Sequence, residues 1–370
     1  MIYVDNAATS YYKPECMIEA VSNYLRHPGN PHRGSHHAAM DAARIVLDTR
    51  MKLAEFFDCH FQYIIFTSGI TESLNTVIQG LLTQTDHVIT TYLEHNSVLR
   101  PLYQLQCELS ICFPTLKDIK ASVQSNTKAV IVNHVSNVTG EINDLKDIGM
   151  FCHNNNILFI VDTAQSAGLI PISMKENHID ILCFTGHKGL MGMQGIGGIA
   201  LSEDFDIQPL KVGGSGVLSF QKEHPSSLPT RLEAGTLNVP GIVSLNASLD
   251  FIKEKGIENI FKHEQALADA FYRQLSLIDD IRIYREINKN YVGIVSLNIK
   301  DMDANDVCDQ LSQYYQIETR AGAHCAPLVH NHYHTQSMIR FSFGLNNTMK
   351  DVEECIKALQ AIIKRGEKHD

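Results

Sequence analysis

Lys188 stands in the run GHKGLMGMQGIGGIA (186–200), which is rich in glycine and nearly free of other charge. It follows a strand-like segment, DILCFTG (180–186), whose end also carries Thr185 and His187. Four more strand-like segments end in polar residues. ILFIVD (157–162) ends at Asp162 and is followed by Gln165, while QYIIFT (62–67) leads through Ser68, Gly69 and Ile70 to Thr71. HVITTY (87–92) precedes Glu94 and His95, and KAVIVNHV (128–135) precedes Ser136 and Asn137. Taken singly, each has an ordinary explanation: a capping aspartate, a satisfied histidine, a solvated lysine. Together they describe one pocket, because ligands bind beyond the carboxyl ends of strands in a doubly wound sheet. A Gly/Thr turn opening a helix offers unpaired N–H groups and a positive dipole end, which suit a phosphate. A lysine can form a Schiff base with a carbonyl, and an aspartate opposite can keep a pyridinium nitrogen protonated. Those are the parts that pyridoxal phosphate requires.

A second centre lies in RAGAHCAPLVHNHYH (320–334). Cys325 sits between Arg320, His324 and more histidines, and neighbouring positive groups favour the reactive thiolate. Two other readings compete: a small buried thiol, and a metal site of His324, Cys325, His330, His332 and His334. On a strand the alternating HNHYH histidines would share one face, but no second cysteine stands at zinc spacing. Cys183, inside DILCFT, is expected to be a buried structural thiol.

The elements that must hold these residues alternate. Near-continuous apolar strands spaced by helices predict a mostly parallel sheet covered on both faces, joined by right-handed crossovers. Residues 36–57 predict a long helix with Met40, Ala43, Leu47, Met51 and Ala54 as its apolar stripe. Past about residue 240 the texture changes. Helices at 240–255 and 258–277 lead to VGIVSLNI (292–299), a helix at 303–314, MIRFSFG (338–344) and a last helix with Val352, Ile356, Leu359 and Ile363 on one face. The expected division is a large cofactor-binding domain, 1–245, and a smaller α+β domain, 246–370, carrying the cysteine loop. Residues 1–15 are expected near the small domain.

The chain has 370 residues, of which 44% are apolar, so a large core is available. Its net charge of −10 argues against nucleic acid or an anionic membrane as the main partner. The N-terminus MIYVDNAATS lacks the features of a signal peptide, and no run is long enough to span a bilayer. Nine scattered cysteines without a CxxC form neither a disulfide framework nor a zinc ribbon. The expectation is a cytoplasmic protein with reduced thiols.

Ten segments taken in order resemble the class V aminotransferase family of pyridoxal-phosphate enzymes, and within it the cysteine desulfurases and selenocysteine lyases. They are YVDNAATS (3–10), HRGSH (32–36), SGITESLN (68–75), LEHNS (93–97), HVSNVTGE (134–141), VDTAQSAG (161–168), TGHKG (185–189), RLEAGTLN (231–238), RAGAHCAPL (320–328) and IRFSFGLNN (339–347). The resemblance implies a fold-type I enzyme with Lys188 as the Schiff-base lysine, Asp162 on the ring nitrogen and Gln165 on the ring hydroxyl. It implies His95 stacked on the ring and shuttling protons, and Asn137 near the ring or the substrate carboxylate. The phosphate would be held by the Gly69–Ile70–Thr71 turn, Thr185, His187 and, from the other subunit of a homodimer, Thr236. Arg340 would clamp the substrate carboxylate, and Cys325 would be the sulfur nucleophile. The implied reaction converts L-cysteine to L-alanine and a persulfide on Cys325, for an acceptor to collect. L-selenocysteine is the alternative substrate. Also open are another class V reaction (aminotransferase, epimerase or β-lyase), a sulfur-carrier scaffold, and a metal-binding regulator. Two departures stand out. Ile70 replaces a hydroxyl residue in the phosphate turn, and Ala323 replaces a second histidine before Cys325. The compact loop, with Pro327 two residues after the cysteine, resembles the short-loop group.

Overall fold

The computed structural model describes residues 1–31, 34–286 and 288–366; His32 and Arg33 of HRGSH and residues 367–370 of the expected C-terminal domain lie outside the described residues. After a two-residue strand β1 (Ile2–Tyr3), the described residues lay down seven strands of one sheet. They are β2 (Ile64–Thr67), β3 (His87–Thr91), β4 (Glu108–Cys112), β5 (Thr127–Asn133), β6 (Leu158–Asp162), β7 (Ile181–Thr185) and β8 (Gly197–Leu201). Their order across the sheet is β2-β8-β7-β6-β5-β3-β4. Pairing is parallel from β4 through β7, whereas β8 runs antiparallel to both β7 and β2. The link 186–196 contains no helix, so β8 returns beside β7 without the crossover that a parallel neighbour needs. Glycines permit that return: a Cβ on Gly198 would lie 2.4 Å from the carbonyl oxygen of Ile65. β3 lies between β4 and β5, so the strand order reverses there, and the carboxyl ends of β3, β5, β6 and β7 share one edge.

Among the described residues seven helices accompany this sheet: α1 (Glu15–Arg26), α2 (His37–Phe57), α3 (Ile70–Leu81), α4 (Asn96–Leu105), α5 (Leu116–Ala121), α6 (Leu145–Asn154) and α7 (Val239–Lys255). Sheet and helices form one compact unit, Lys13–His134 with Asn143–Gly256. The smaller unit takes Met1–Tyr12, Val135–Ile142 and the chain from Ile257 onward. Residue 245, the expected domain edge, falls inside α7, which packs on α1 and α2; the change of composition there marks a helix rather than a linker. The smaller unit holds a four-stranded antiparallel sheet in the order β12-β13-β10-β9, built from β9 (Ile281–Ile283), β10 (Ile294–Ile299), β12 (Arg320–Gly322) and β13 (Met338–Ser342). A short strand β11 (Ile317–Glu318) pairs in parallel with β1. The helices of this unit are α8 (Ile257–Leu275), α9 (Ala304–Tyr315), α10 (Pro327–Tyr333) and α11 (Met349–Gly366). Its core includes Val4, Phe271, Phe341 and Phe343, with Val352, Ile356, Leu359 and Ile363 buried as the stripe on α11 predicts.

The stripe expected on α2 holds at Ala54, which is buried, and fails at its larger members. Met40, Leu47 and Met51 are 38%, 47% and 54% exposed, while Ala39, Ala42, Val46, Leu53 and Phe57 are buried. The buried face also carries Thr49 and Arg50, which made it look polar. Both are satisfied inside. Thr49 donates to the Ile45 carbonyl at 2.7 Å, and Arg50 pairs with Glu233 at 2.6 Å, bonds the Ile64 carbonyl and lies over the Phe66 ring. Among the described residues no helix is long and apolar enough to cross a membrane.

Candidate active site

β6 delivers Asp162 to the sheet edge, where it is buried and accepts a 2.8 Å hydrogen bond from the Ala164 N–H. Burial raises the carboxyl's pKa, and the Ala164 N–H and the Lys188 charge oppose that rise. An interior aspartate that senses a lysine charge is an arrangement able to hold a cationic ring nitrogen. Lys188 follows β7 on a turn braced from a distant point in the chain. The Lys13 ammonium donates to the carbonyls of His187 (3.3 Å) and Gly192 (2.8 Å) on either side of it. Burial holds the Lys13 amine down at about 8, and burial together with Lys188 and Lys13 holds His187 down at about 4, so the imidazole is neutral. Gln165 is buried in the turn after β6.

The candidate phosphate turn lies at the start of α3. α3 begins at Ile70, and Gly69, its N-cap at φ 148°, contributes no side chain, so no side chain caps the helix. A Cβ on Gly69 would meet the Thr185 hydroxyl at 3.6 Å, which places the end of β7 beside this turn. The uncapped N–H groups, Thr71 and Thr185 are donors of the kind a phosphate needs. With Asp162 and Lys188 on the same edge, the residues fit pyridoxal phosphate.

His95 caps α4. Its Nδ1 accepts the Ser97 N–H at 3.0 Å, which leaves the proton of a neutral ring on Nε2. The Ser97 hydroxyl lies 2.9 Å from that same Nδ1 and 2.8 Å from the Thr71 hydroxyl, joining the ring-stacking candidate to the phosphate turn. Behind them Glu94 is fully buried, accepting from the Thr91 hydroxyl (2.7 Å) and the Asn133 N–H (3.0 Å). Burial, reinforced by Asp162, pushes its carboxyl up to about 8. Thr236 is exposed, one residue past Gly235 at φ 92°. The segment before it is anchored, since Glu233 accepts the Phe66 N–H at 2.6 Å as well as pairing with Arg50.

The smaller unit gathers Asn137, Arg340 and Cys325. Arg340 on β13 is 1% exposed and donates to Asp5 at 2.7 Å and to the Asn137 carbonyl at 2.9 Å. Asn137 donates its side-chain N–H to the His324 carbonyl at 2.8 Å. His324 (φ 49°) and Cys325 (φ 57°) are consecutive non-glycine residues in the left-handed region, at roughly 1–2 kcal/mol each. The turn closes with Ala326 N–H donating to the Ala323 carbonyl at 3.0 Å. Among the described residues Cys325 and Cys16 are the two exposed thiols; Cys183 is buried, its pKa raised by burial, as expected.

Two expectations for this turn need correcting. His324 is not a positive neighbour of Cys325: burial and Arg340 hold it down at about 2, with its Nε2 proton donated to the Met338 carbonyl at 3.0 Å. Nor do the HNHYH histidines share a strand face. They lie on α10 and its cap, with His330 buried, His334 exposed and His332 3.7 Å from Glu286. Asp5, Lys13, Glu94 and Ser97 escaped sequence reasoning as working residues, although Asp5, Glu94 and Ser97 stand inside the quoted motifs.

The family described as Aminotransferase class-V matches residues 2–355. A protein of Methanothermobacter thermautotrophicus named a probable cysteine desulfurase is 31% identical, over 99% of this chain and 95% of its own. One of Pyrococcus abyssi with the same name is 32% identical over 98% and 94%. The apo structure of a cysteine desulfurase from Thermococcus onnurineus superposes with a TM-score of 0.92 at 32% identity, over 98% of this chain and 94% of that one.

Proposed function

This chain belongs to the class V aminotransferase family, and from that premise we propose that it is a pyridoxal-phosphate-dependent cysteine desulfurase. The observation that carries the reading is the pairing of two features. A lysine and a buried aspartate stand at neighbouring strand ends, and an exposed cysteine is presented on a pinned turn. The names of the relatives support the same substrate.

Lys188 would hold the cofactor covalently, and Asp162 its ring nitrogen. His95 would lie against the ring, with Gln165 at its hydroxyl. The α3 turn at Gly69, Ile70 and Thr71, with Thr185 and His187, would hold the phosphate. Exposed Thr236 would serve the same group in a second copy of the chain, so the working form is a homodimer. When bound, pyridoxal phosphate supplies the electron sink that activates the substrate's Cα–H and Cβ–S bonds. The Lys188 amine takes the α proton and returns it. Arg340 binds the substrate carboxylate with a fork matched to it. The Cys325 thiolate attacks the substrate sulfur, an S–S bond forms and the Cβ–S bond breaks. His95 moves the proton at its Nε2. Cysteine and enzyme thiol thus become alanine and enzyme persulfide, with every atom accounted for. An acceptor protein or small thiol then removes the outer sulfur. Free, scattered thiols accord with a cytoplasmic setting.

The test is alanine and sulfide release from cysteine, with and without a thiol reductant, and the same assay with selenocysteine. The proposal predicts equal alanine and sulfide with reductant, and persulfide retained without it. Alanine formed from selenocysteine but not from cysteine would overturn the substrate assignment.

A further inference from the structure

We propose that Asn137 is a positioning residue for Cys325, tying the placement of the sulfur nucleophile to the arginine that takes the substrate carboxylate. The inference rests on the desulfurase reading for the role of Cys325, but its geometry lies wholly within the smaller unit.

The segment 135–142 is a hydrogen-bonded platform. Val135 bridges Ile142, the Ser136 N–H reaches the Glu141 carbonyl at 3.0 Å, and the Gly140 N–H reaches Ser136 at 3.0 Å. It is fastened to β10 and its approach. The Ser296 hydroxyl donates to the Val138 carbonyl at 2.6 Å, the Val292 N–H donates to the Gly140 carbonyl at 2.9 Å, and Lys289 pairs with Glu141 at 2.6 Å. Gly140, at φ 76°, sits so close that a Cβ would lie 2.8 Å from the Ile294 Cβ. Asn137 projects from a base held by these bonds.

The Cys325 turn is the opposite kind of structure. Its two central residues both have positive φ, a conformation usually given to glycine or asparagine, yet they are histidine and cysteine. Such a turn persists only when its surroundings over-determine it. One pin is the His324 ring on the Met338 carbonyl. The other is the Asn137 amide on the His324 carbonyl, one peptide before Cys325. Because that partner is a carbonyl, the contacting atom of Asn137 must be the nitrogen. Among the described residues the Asn137 side-chain oxygen is buried without a hydrogen-bond partner, so there the amide is held by its donor alone. The backbone carbonyl of the same residue accepts from Arg340 at 2.9 Å, and Arg340 holds Asp5 at 2.7 Å. A continuous chain therefore runs from Asp5 through Arg340 and Asn137 to the peptide that carries Cys325. Among the described residues the Arg340 Nε is buried without a partner, so the guanidinium keeps donor capacity for a carboxylate. A carboxylate drawn to Arg340 acts on the same residue that fixes the nucleophile.

The experiment uses the holoenzyme and the variants Asn137→Ala and Asn137→Asp, the second keeping the shape while removing the donor. Two readouts need no substrate. Hydrogen exchange at the turn-closing Ala326 amide should be at least tenfold faster in both variants. The rate of Cys325 alkylation by iodoacetamide, followed on its own peptide to exclude Cys16, should change at least threefold across the pH profile. With cysteine, kcat should fall at least tenfold while KM changes less than threefold. An Asn137 that only binds substrate carboxylate would raise KM and leave exchange and alkylation as in the wild type, which overturns the proposal. If Asn137→Ala does not fold, Asn137→Asp decides by the same measurements. Cys325→Ala serves as the control for the underlying reading: wild-type sulfide release from it would sink the desulfurase assignment, while exchange and alkylation still judge the pin.

Discussion

The larger unit and the smaller unit present their chemistry in different ways. In the larger, each candidate group stands at the end of a regular element: Asp162 on β6, Lys188 just past β7, His95 at the cap of α4, Gly69 at the start of α3. The sheet sets their spacing, and the flanking apolar runs bury them. In the smaller unit, three distant stretches of chain supply Asp5, Asn137, Cys325 and Arg340, and long-range hydrogen bonds rather than element ends fix them. One region is held by topology and the other by a polar network over a strained turn. The first should therefore lose function at single groups and keep its shape. The second should couple function to local order.

Lys188→Ala gives the largest effect and tests the first half of that contrast. Turnover should fall by about 10²–10⁴-fold, the scale of a lost acid–base group, with further loss from the missing cofactor linkage. The visible absorption of the bound cofactor should shift or vanish while the thermal midpoint of the cofactor-free protein stays put. A variant that keeps a borohydride-reducible linkage would place that bond on another lysine. Cys325→Ala comes next. Sulfide release from cysteine should be lost, yet cysteine should still perturb the cofactor spectrum, because the binding groups are intact. After cysteine exposure of the wild type, the persulfide should be found on Cys325 and not on Cys152, Cys183 or Cys355, which are buried with pKa values raised by burial.

Arg340→Ala probes the polar network directly. Losing a charge-assisted carboxylate contact should raise KM for cysteine by on the order of 1.5–3 kcal/mol, roughly 10- to 150-fold. Because Arg340 also pairs with Asp5 in the interior, the variant should melt earlier as well. Asp5→Asn should melt early but raise KM less. Equal KM changes in the two variants would mean that the pair acts only as a structural brace.

The two regions also differed in how far the sequence revealed them. Strand ends in a doubly wound sheet are readable because apolar runs announce the strands and polar residues then stand out. Asp162, Lys188, His95 and Thr71 were singled out in that way. The Arg340–Asp5 pair spans 335 positions, and no local pattern encodes it. The helix at 327–333 hid in HNHYH, whose alternation imitates a strand. The buried face of α2 hid because Thr49 and Arg50 are polar by type and satisfied by partners far along the chain, including Glu233. Edge strand β4 was overlooked because its residues are half-exposed and lack the continuous apolar character of its neighbours.

The smallest effect concerns Glu94, in the larger unit. Its carboxyl is pushed up to about 8 by burial and by Asp162, so the folded protein keeps it protonated at neutral pH. In the unfolded chain it titrates near 4.5. Folded Glu94 thus binds its proton more tightly, and its stabilising contribution is full below about pH 4.5 and is lost as pH rises toward 8. Above that, both states are ionised and no further change follows. Glu94→Gln keeps the shape and the neutral state and removes the titration. At pH 5 it should melt within a degree or two of the wild type. At pH 8 it should melt higher relative to the wild type, by a few °C for each kcal/mol recovered. The measured quantity is the difference between variant and wild type at the two pH values. If that difference is the same at both, Glu94 is already ionised in the fold. The polar layer behind His95 and Asp162 would then hold a buried charge rather than a neutral acid.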